Sequence, residues 1–166
     1  MALPALDNYP TDELVAAAWI ATIPGFSQAM VATQLPADAD RAGNPAPWVA
    51  TGFVTVAVAG GTPSPDLPEQ SPVIQADCWA TVPGSNKPPW FKANRLATAI
   101  VRAARNRTTV PRPLTITSGP VVYGVVSVRA AYVTTTPRRI YDDAGDYARY
   151  QLDLALSWVV PGEHIT

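Results

Sequence analysis

The clearest pattern of hydrophobic and polar positions lies near the C-terminal end of the chain. In the stretch QLDLALSW, residues 151–158, every second residue is Leu or Trp, and the residues between them are polar or small. A period of two places the large apolar side chains on one face of an extended segment. We therefore expect a β-strand over residues 147–160 with one face in the core.

Four further segments have the composition of strands. They are rich in β-branched residues and end at Gly, Pro or polar clusters, which is typical of strands. The segment GFVTVAVA stops at Gly60-Gly61, and VIQADCWAT follows after a proline-rich connection. The predicted strands cover residues 30–36, 52–59, 73–81 and 121–134.

Two other segments have the features of helices. Thr11 is a good N-cap, the acidic pair 12–13 suits the positive end of a helix dipole, and Pro24-Gly25 stops the segment. Residues 88–105 carry apolar side chains along one helical stripe, with arginines near the C-terminal end. We expect one helix between Thr11 and Pro24 and a second over 88–105.

The element order is α, β, β, β, α, β, β. Strands that follow one another closely favour antiparallel pairing, and helices then cover one face of the sheet. We therefore expect an α+β fold, with a mostly antiparallel sheet of four to five strands and two α-helices packed on one face. Residues 1–166 form one domain in this interpretation, with long loops near 37–50, 60–72 and 134–146.

Composition changes this picture in one respect. Charged residues make up 15% of the chain and hydrophobic residues 48%, and there are 18 prolines. A typical soluble domain has about 25% charged residues. This favours a subunit whose apolar surface is covered by a partner, although a monomer with a large core is the alternative.

Charge and segment composition also bear on the environment of the protein. The net charge of −1 gives no basic footprint for nucleic acid. The first fifteen residues lack the pattern of a signal peptide, and no stretch approaches the ~18 apolar residues of a membrane span. We expect a soluble protein that is made in a cytosol.

Cys78 is the only cysteine and the first candidate for chemistry. Strand alternation places it on the apolar face with Ile74 and Ala76, while Asp77 points to the other face. A nucleophilic cysteine needs a neighbouring base or cation, and the only histidine is His164, near the C-terminus. We interpret Cys78 as a buried structural residue, and the lone histidine argues against a Ser-His-Asp triad.

Two charged clusters have ordinary explanations that we prefer to chemical ones. The acidic segment YDDAGDY, residues 141–147, lacks the ligand spacing of a calcium loop and suits a turn. The arginines at 102–107 could contact phosphate but are more typical of a solvated helix end. No active site is apparent, so we expect a non-enzymatic protein without metal or cofactor.

The order of these elements, together with several short phrases, resembles one family. The features are the strand that ends in GG, the proline-rich excursion, VIQADCWA, ANRLATAIVRAAR and the closing RYQLDLALSW. Over roughly residues 10–160 the chain is similar to the tail terminator proteins of long-tailed bacteriophages (siphoviruses), especially those of actinobacteria.

The resemblance implies a structural role in the virion, at the junction of tail and neck. Tail terminators form a homohexameric ring that caps the tail tube, ends its polymerisation and joins the tail to the head-completion or neck connector protein. Genomic DNA passes through the lumen without sequence-specific binding, and no membrane is involved. Such a protein is made in the host bacterial cytoplasm.

If this function is right, long loops and nearby charged residues are the expected partner contacts. Prolines limit the freedom of a loop and lower the entropic cost of docking it. The predicted interface residues are Pro63, Pro65, Asp66, Pro68, Glu69, Arg138, Arg139, Tyr141, Asp142, Asp143 and Arg149.

Other functions remain open at this stage. One is a different neck or head-completion connector that also forms rings. Another is a small ligand-binding or enzymatic domain that uses Asp77 or the acidic segment 142–146. A third is a cytosolic adaptor that binds other proteins without forming a ring.

Overall fold

The computed structural model describes residues 9–36, 40–41, 44–141 and 146–162. Within these ranges, no helix is both long enough and apolar enough to cross a membrane.

The first helix begins at the capping signal of the sequence. The side-chain oxygen of Thr11 accepts a hydrogen bond from the Leu14 N–H at 3.3 Å, which confirms the predicted N-cap of the first helix. The described α-helices are α1 (Asp12–Ala21), α2 (Pro47–Thr51) and α3 (Trp90–Arg105), and a 3₁₀ turn spans Gln28–Met30.

Most strands join one curled, half-barrel sheet. Its order is β1-β4-β5-β9-β7-β6, and β8 pairs with β9 beside the end of β7. The β1–β4 pair is parallel and the other pairs are antiparallel. The strands of this sheet are β1 (Val31–Ala32), β4 (Phe53–Gly61), β5 (Pro72–Thr81), β6 (Arg112–Ser118), β7 (Val121–Val133), β8 (Arg138–Ile140) and β9 (Tyr147–Val159). A separate antiparallel pair consists of β2 (Asp40–Arg41) and β3 (Asn44–Pro45).

The expected α+β fold with a sheet of four to five strands and two helices is wrong. The structure is a mixed α/β fold with a seven-stranded main sheet and three α-helices in its described part. Strand β6 was missed because Pro111 and Pro113 suggest a loop, yet a proline is tolerated in an edge strand. Strand β8 has three residues and no pattern of its own, so it exists only because β9 offers it an edge.

The three predicted loops contain more regular structure than expected. Segment 37–50 includes β2, β3 and most of α2, and segment 134–146 includes β8. The loop at 60–72 shortens to 62–71, because β4 continues to Gly61 and β5 begins at Pro72.

Helices α1 and α3 pack on the same face of the sheet, around one hydrophobic core. On β5, Ile74, Ala76, Cys78 and Ala80 are completely buried on this face, as the alternation predicted. Leu152, Leu154, Leu156 and Trp158 of β9 continue the core beside them. The Trp158 indole N–H donates to a carboxylate oxygen of Asp12 at 2.8 Å, which ties the start of α1 to β9.

A glycine at the end of β4 is required by the backbone. Gly61 has a φ of +121°, and a Cβ there would lie 2.5 Å from the Ser71 carbonyl oxygen and 2.8 Å from Pro72 Cα. Its neighbour Gly60 has no atom within 4 Å of such a Cβ. There is therefore room for a side chain at Gly60 but not at Gly61, although the two residues are adjacent on one exposed strand.

We expect Gly61→Ala to lower the free energy of unfolding by about 2 kcal/mol or more, because the new methyl group meets backbone atoms that cannot move aside. Gly60→Ala is the control and should change it by less than about 0.5 kcal/mol. Urea denaturation of both variants measures the difference. Equal effects of the two substitutions would contradict the described backbone at this turn.

Candidate functional site

The connection between β4 and β5 holds five of the predicted interface residues. Pro63, Pro65 and Asp66 are exposed, while Pro68 and Glu69 are half-buried. The end of this loop is fixed to the core sheet, since Gln70 and Trp158 exchange two backbone hydrogen bonds of 2.8 and 3.0 Å. Its first part thus projects outward from an anchored base.

Strand β4 leaves an open edge next to this loop. Strand β1 pairs only with Val54 and Thr55, so in the described part of the chain residues 56–61 have a partner on one side alone. Residues 57–61 are exposed, and VAVAGG carries no charge. A bulge between Val58 and Gly60 interrupts the edge, but proline and lysine, which commonly protect such edges, do not occur in it.

A second apolar surface lies on the β6–β7 hairpin. Val121, Val122 and Val125 on β7 are exposed, with Val122 at 63% of its full accessibility. Strand β6 is the last strand at this end of the sheet order. The chain therefore presents two different apolar β surfaces, one on β4 and one on the hairpin.

The sheet face opposite the helices carries a buried polar network centred on Asp77. Arg149 donates to one carboxylate oxygen of Asp77 at 3.0 Å, and Gln151 donates to the other at 3.0 Å. Gln75 also donates to this carboxylate, at 3.1 Å. The Arg149 guanidinium lies 4.8 Å from the centre of the Trp79 ring. Asp77 is thus held by neighbours within the chain.

This network spans four strands in one row. Asp77 on β5 lies between Thr55 on β4 and Gln151 on β9. On the other side of Gln151 lies Arg138 on β8. The Arg138 guanidinium donates to the Gln151 side-chain oxygen. Arg138 and Arg149, which are among the predicted interface residues, are both bound to groups of their own chain.

Arg139 lies among aromatic rings. Its guanidinium is 4.6 Å from the centre of the Trp90 ring and 5.9 Å from that of Tyr150. Hydrogen bonds to Tyr150 and Tyr141 raise the pKa of Arg139 above its ordinary value. Tyr141 is itself 77% exposed, so this cluster is an aromatic surface with a fixed positive charge.

The remaining candidates for chemistry are confined or fall outside the described residues. Cys78 is fully buried, and burial, with the nearby Asp77 charge, raises the pKa of its thiol. Asp142, Asp143 and His164 lie outside the described residues. Within those residues, no group of three or more His, Cys, Asp or Glu side chains could hold a metal ion.

Sequence reasoning missed three features of these surfaces. The open edge of β4 depends on how short β1 is, and the exposed valines lie on the part of β7 before Ser127, where β9 does not pair with it. The sequence gives only a weak indication of the Asp77–Arg149 pair, since both residues occupy the face opposite the apolar residues of their strands. Joining them requires the β5–β9 register, which places Trp79 opposite Arg149.

Comparison with known proteins adds little to this geometry. No family model matches the chain, and no curated protein matches it. A solved structure whose name describes no function is 16% identical, covering 93% of this chain and 99% of its own, with a TM-score of 0.37. A likeness at that level carries no argument about fold or function.

We expect the Cys78 thiol to resist a maleimide reagent in the native protein, because it is buried and its raised pKa disfavours the reactive thiolate. Labelling should become complete in denaturant, and mass spectrometry follows both reactions. Rapid labelling of the folded protein, at a rate close to that of the denatured chain, would contradict the buried position.

Asp77 and Arg149 should be energetically coupled. We expect a double-mutant cycle with Asp77→Asn and Arg149→Met to give a coupling of about 1–2 kcal/mol, because the pair is mostly shielded from water. Arg95→Met, an exposed arginine without an ion pair among the described residues, is the matched control and should show no coupling to Asp77→Asn. Additive effects of Asp77→Asn and Arg149→Met would show that the ion pair contributes nothing.

Proposed function

We propose that this protein is a structural virion protein, a tail terminator that forms a homohexameric ring at the junction of tail and neck. The ring caps the tail tube, ends its polymerisation and receives the head-completion or neck connector. The number of subunits comes from the resemblance of the sequence to that family.

The observation that carries the proposal is the presence of two unlike apolar β surfaces on one subunit. The open edge of β4 exposes Val58 and backbone groups that no described strand pairs with, and the β6–β7 hairpin exposes Val121, Val122 and Val125. Contacts between unlike surfaces of identical chains are heterologous, and such contacts close into rings when the rotation allows it. We assign the β4 edge to the hairpin of the next copy.

The charge of the chain supports association of this kind. Only 15% of the residues are charged, and β4 carries none, so pairing along this edge desolvates no charged side chain of β4. Backbone hydrogen bonds formed by strand addition supply affinity, and the valine side chains supply apolar contact.

The loops that hold the predicted interface residues suit contacts along the ring axis, with the tail tube on one side and the neck connector on the other. The exposed part of segment 62–71 and the exposed Tyr141 belong to different connections, so each is available to a partner above or below the ring. Arg149 is committed to Asp77, and we therefore remove it from the partner-facing set of this proposal.

The test is electron microscopy of the purified protein mixed with tail tubes of its own phage. We expect rings at one end of tubes of uniform length. Val58→Lys should reduce the capped fraction at least tenfold, because it places a charge at the proposed contact. Val82→Lys is the control, since Val82 is exposed to 47% and Val58 to 45%.

Three outcomes would contradict parts of the proposal. Tubes that stay uncapped and keep growing would overturn the terminator function. Binding to the neck connector without binding to tubes would favour a different connector protein. Equal effects of Val58→Lys and Val82→Lys on capping would overturn the assignment of the β4 edge.

A further inference from the structure

A groove with an arginine-rich lining runs between the C-terminal end of α3 and the C-terminal part of β7. Its volume is about 660 Å³. Arg105 and Arg107 lie on one side, and Arg129 lies on β7 with Tyr132. The remaining lining residues are small or apolar, and none of the described residues that line the groove is acidic.

The three arginines are free to bind an external anion. All three are exposed, and among the described residues none of their side chains forms an ion pair, a hydrogen bond or a ring contact. This distinguishes them from Arg138, Arg139 and Arg149, which are bound within the chain. Three unneutralised positive charges around one groove attract an anion and repel one another.

The dipole of α3 does not account for this cluster. A helix C-terminus carries about half a negative charge, and Arg102 with Arg105 in the last turn already offsets it. Arg107 lies beyond the helix, and Arg129 comes from a strand more than twenty residues later in the chain. The fold therefore places two arginines beside Arg105, namely Arg107 and Arg129, that the helix end does not need.

A neighbouring groove extends the positive surface around the same helix end. Arg102 and Arg112 line it with Asn106, and again no described lining residue is acidic. The Arg112 Nε is buried without a hydrogen-bond partner among the described residues. Positive charge thus continues around the C-terminal end of α3.

We propose that the arginine groove, defined by Arg105, Arg107, Arg129 and Tyr132, binds the phosphodiester backbone of double-stranded DNA. Guanidinium groups bind phosphate oxygens in a bidentate manner, and three of them around one groove can each contact a phosphate. The apolar walls suit the sugars between phosphates, and no amide side chain in the lining is placed to read bases. Binding is independent of base sequence and does not depend on the proposed tail function.

The experiment is fluorescence anisotropy with a labelled 20-base-pair duplex and the full-length protein, over a series of salt concentrations. We expect a dissociation constant in the micromolar range at about 50 mM salt, rising steeply with salt. Arg105→Gln, Arg107→Gln and Arg129→Gln should each weaken binding about eightfold at 0.1 M salt and lower the salt slope by about one.

Arg95→Gln is the matched control. Arg95 is exposed on α3 but lies ten residues before Arg105, which is about 15 Å along the helix axis, and it does not line the groove. It should change the affinity less than twofold. Absence of binding at 50 mM salt, or an equal loss with Arg95→Gln, would overturn the proposal.

Two further arms separate other anions from a DNA backbone. Inorganic triphosphate that saturates the groove at micromolar concentration, and is not displaced by the duplex, would overturn the DNA assignment. Sedimentation without DNA tests whether the groove instead binds an acidic surface of another copy. A triple Arg→Gln variant that changes assembly but keeps DNA affinity would overturn the proposal in favour of that contact.

Tube capping by the triple variant separates this inference from the proposed function. Normal capping with loss of DNA affinity supports the groove as a site distinct from the ring contact. DNA binding through the groove by a protein that leaves tubes uncapped would overturn the terminator function alone.

Discussion

The pairing of β5 with β9 is the interaction on which the rest of the structure depends. It runs from Val73 opposite Ala155 to Thr81 opposite Tyr147 without a shift of register. This register places Cys78 and Leu152 on the face that α1 and α3 cover. A slip of β5 by one residue would move Cys78 to the opposite face of the sheet and bring Asp77 into the apolar core. The apolar residues on one face and the polar residues on the other therefore favour the same register.

The opposite face explains why a charged residue is compatible with the middle of this sheet. Asp77 is 7% exposed, and its carboxylate accepts hydrogen bonds from Arg149, Gln151 and Gln75. Burying a carboxylate without such partners costs several kcal/mol of folding free energy. The network offsets this cost for Asp77 and adds little further stability. Arg138 on β8 extends the network and fixes this short strand to β9. The polar row thus orders the region in which Tyr141 and Arg139 are presented.

The surfaces left over by this scaffold differ in physical character and in position. The exposed edge of β4 carries no charge, and Val121, Val122 and Val125 form an exposed apolar patch on the β6–β7 hairpin, which suits the proposed contact between copies of the chain. The groove at the end of α3 is positively charged, which suits phosphate. Among the residues that the structure describes, arginines without side-chain partners are concentrated at this end of α3, while Arg138, Arg139 and Arg149 are bound within the chain. The proposed ring contact and the proposed phosphate site can therefore be separated by substitution.

The sequence by itself determined the elements whose signals are local. The period of two in QLDLALSW, the Thr11 cap and the apolar face that contains Cys78 each depend on neighbouring residues, and the structure confirms all three. Tertiary structure decided what depends on distant pairing. Strands β6 and β8 exist because neighbouring strands offer them an edge, and the Asp77–Arg149 ion pair, the open β4 edge and the approach of Arg129 to Arg105 follow from sheet order and register. Local pattern specifies which face of a strand is apolar, but only the assembled sheet determines which edges and charges remain unpaired.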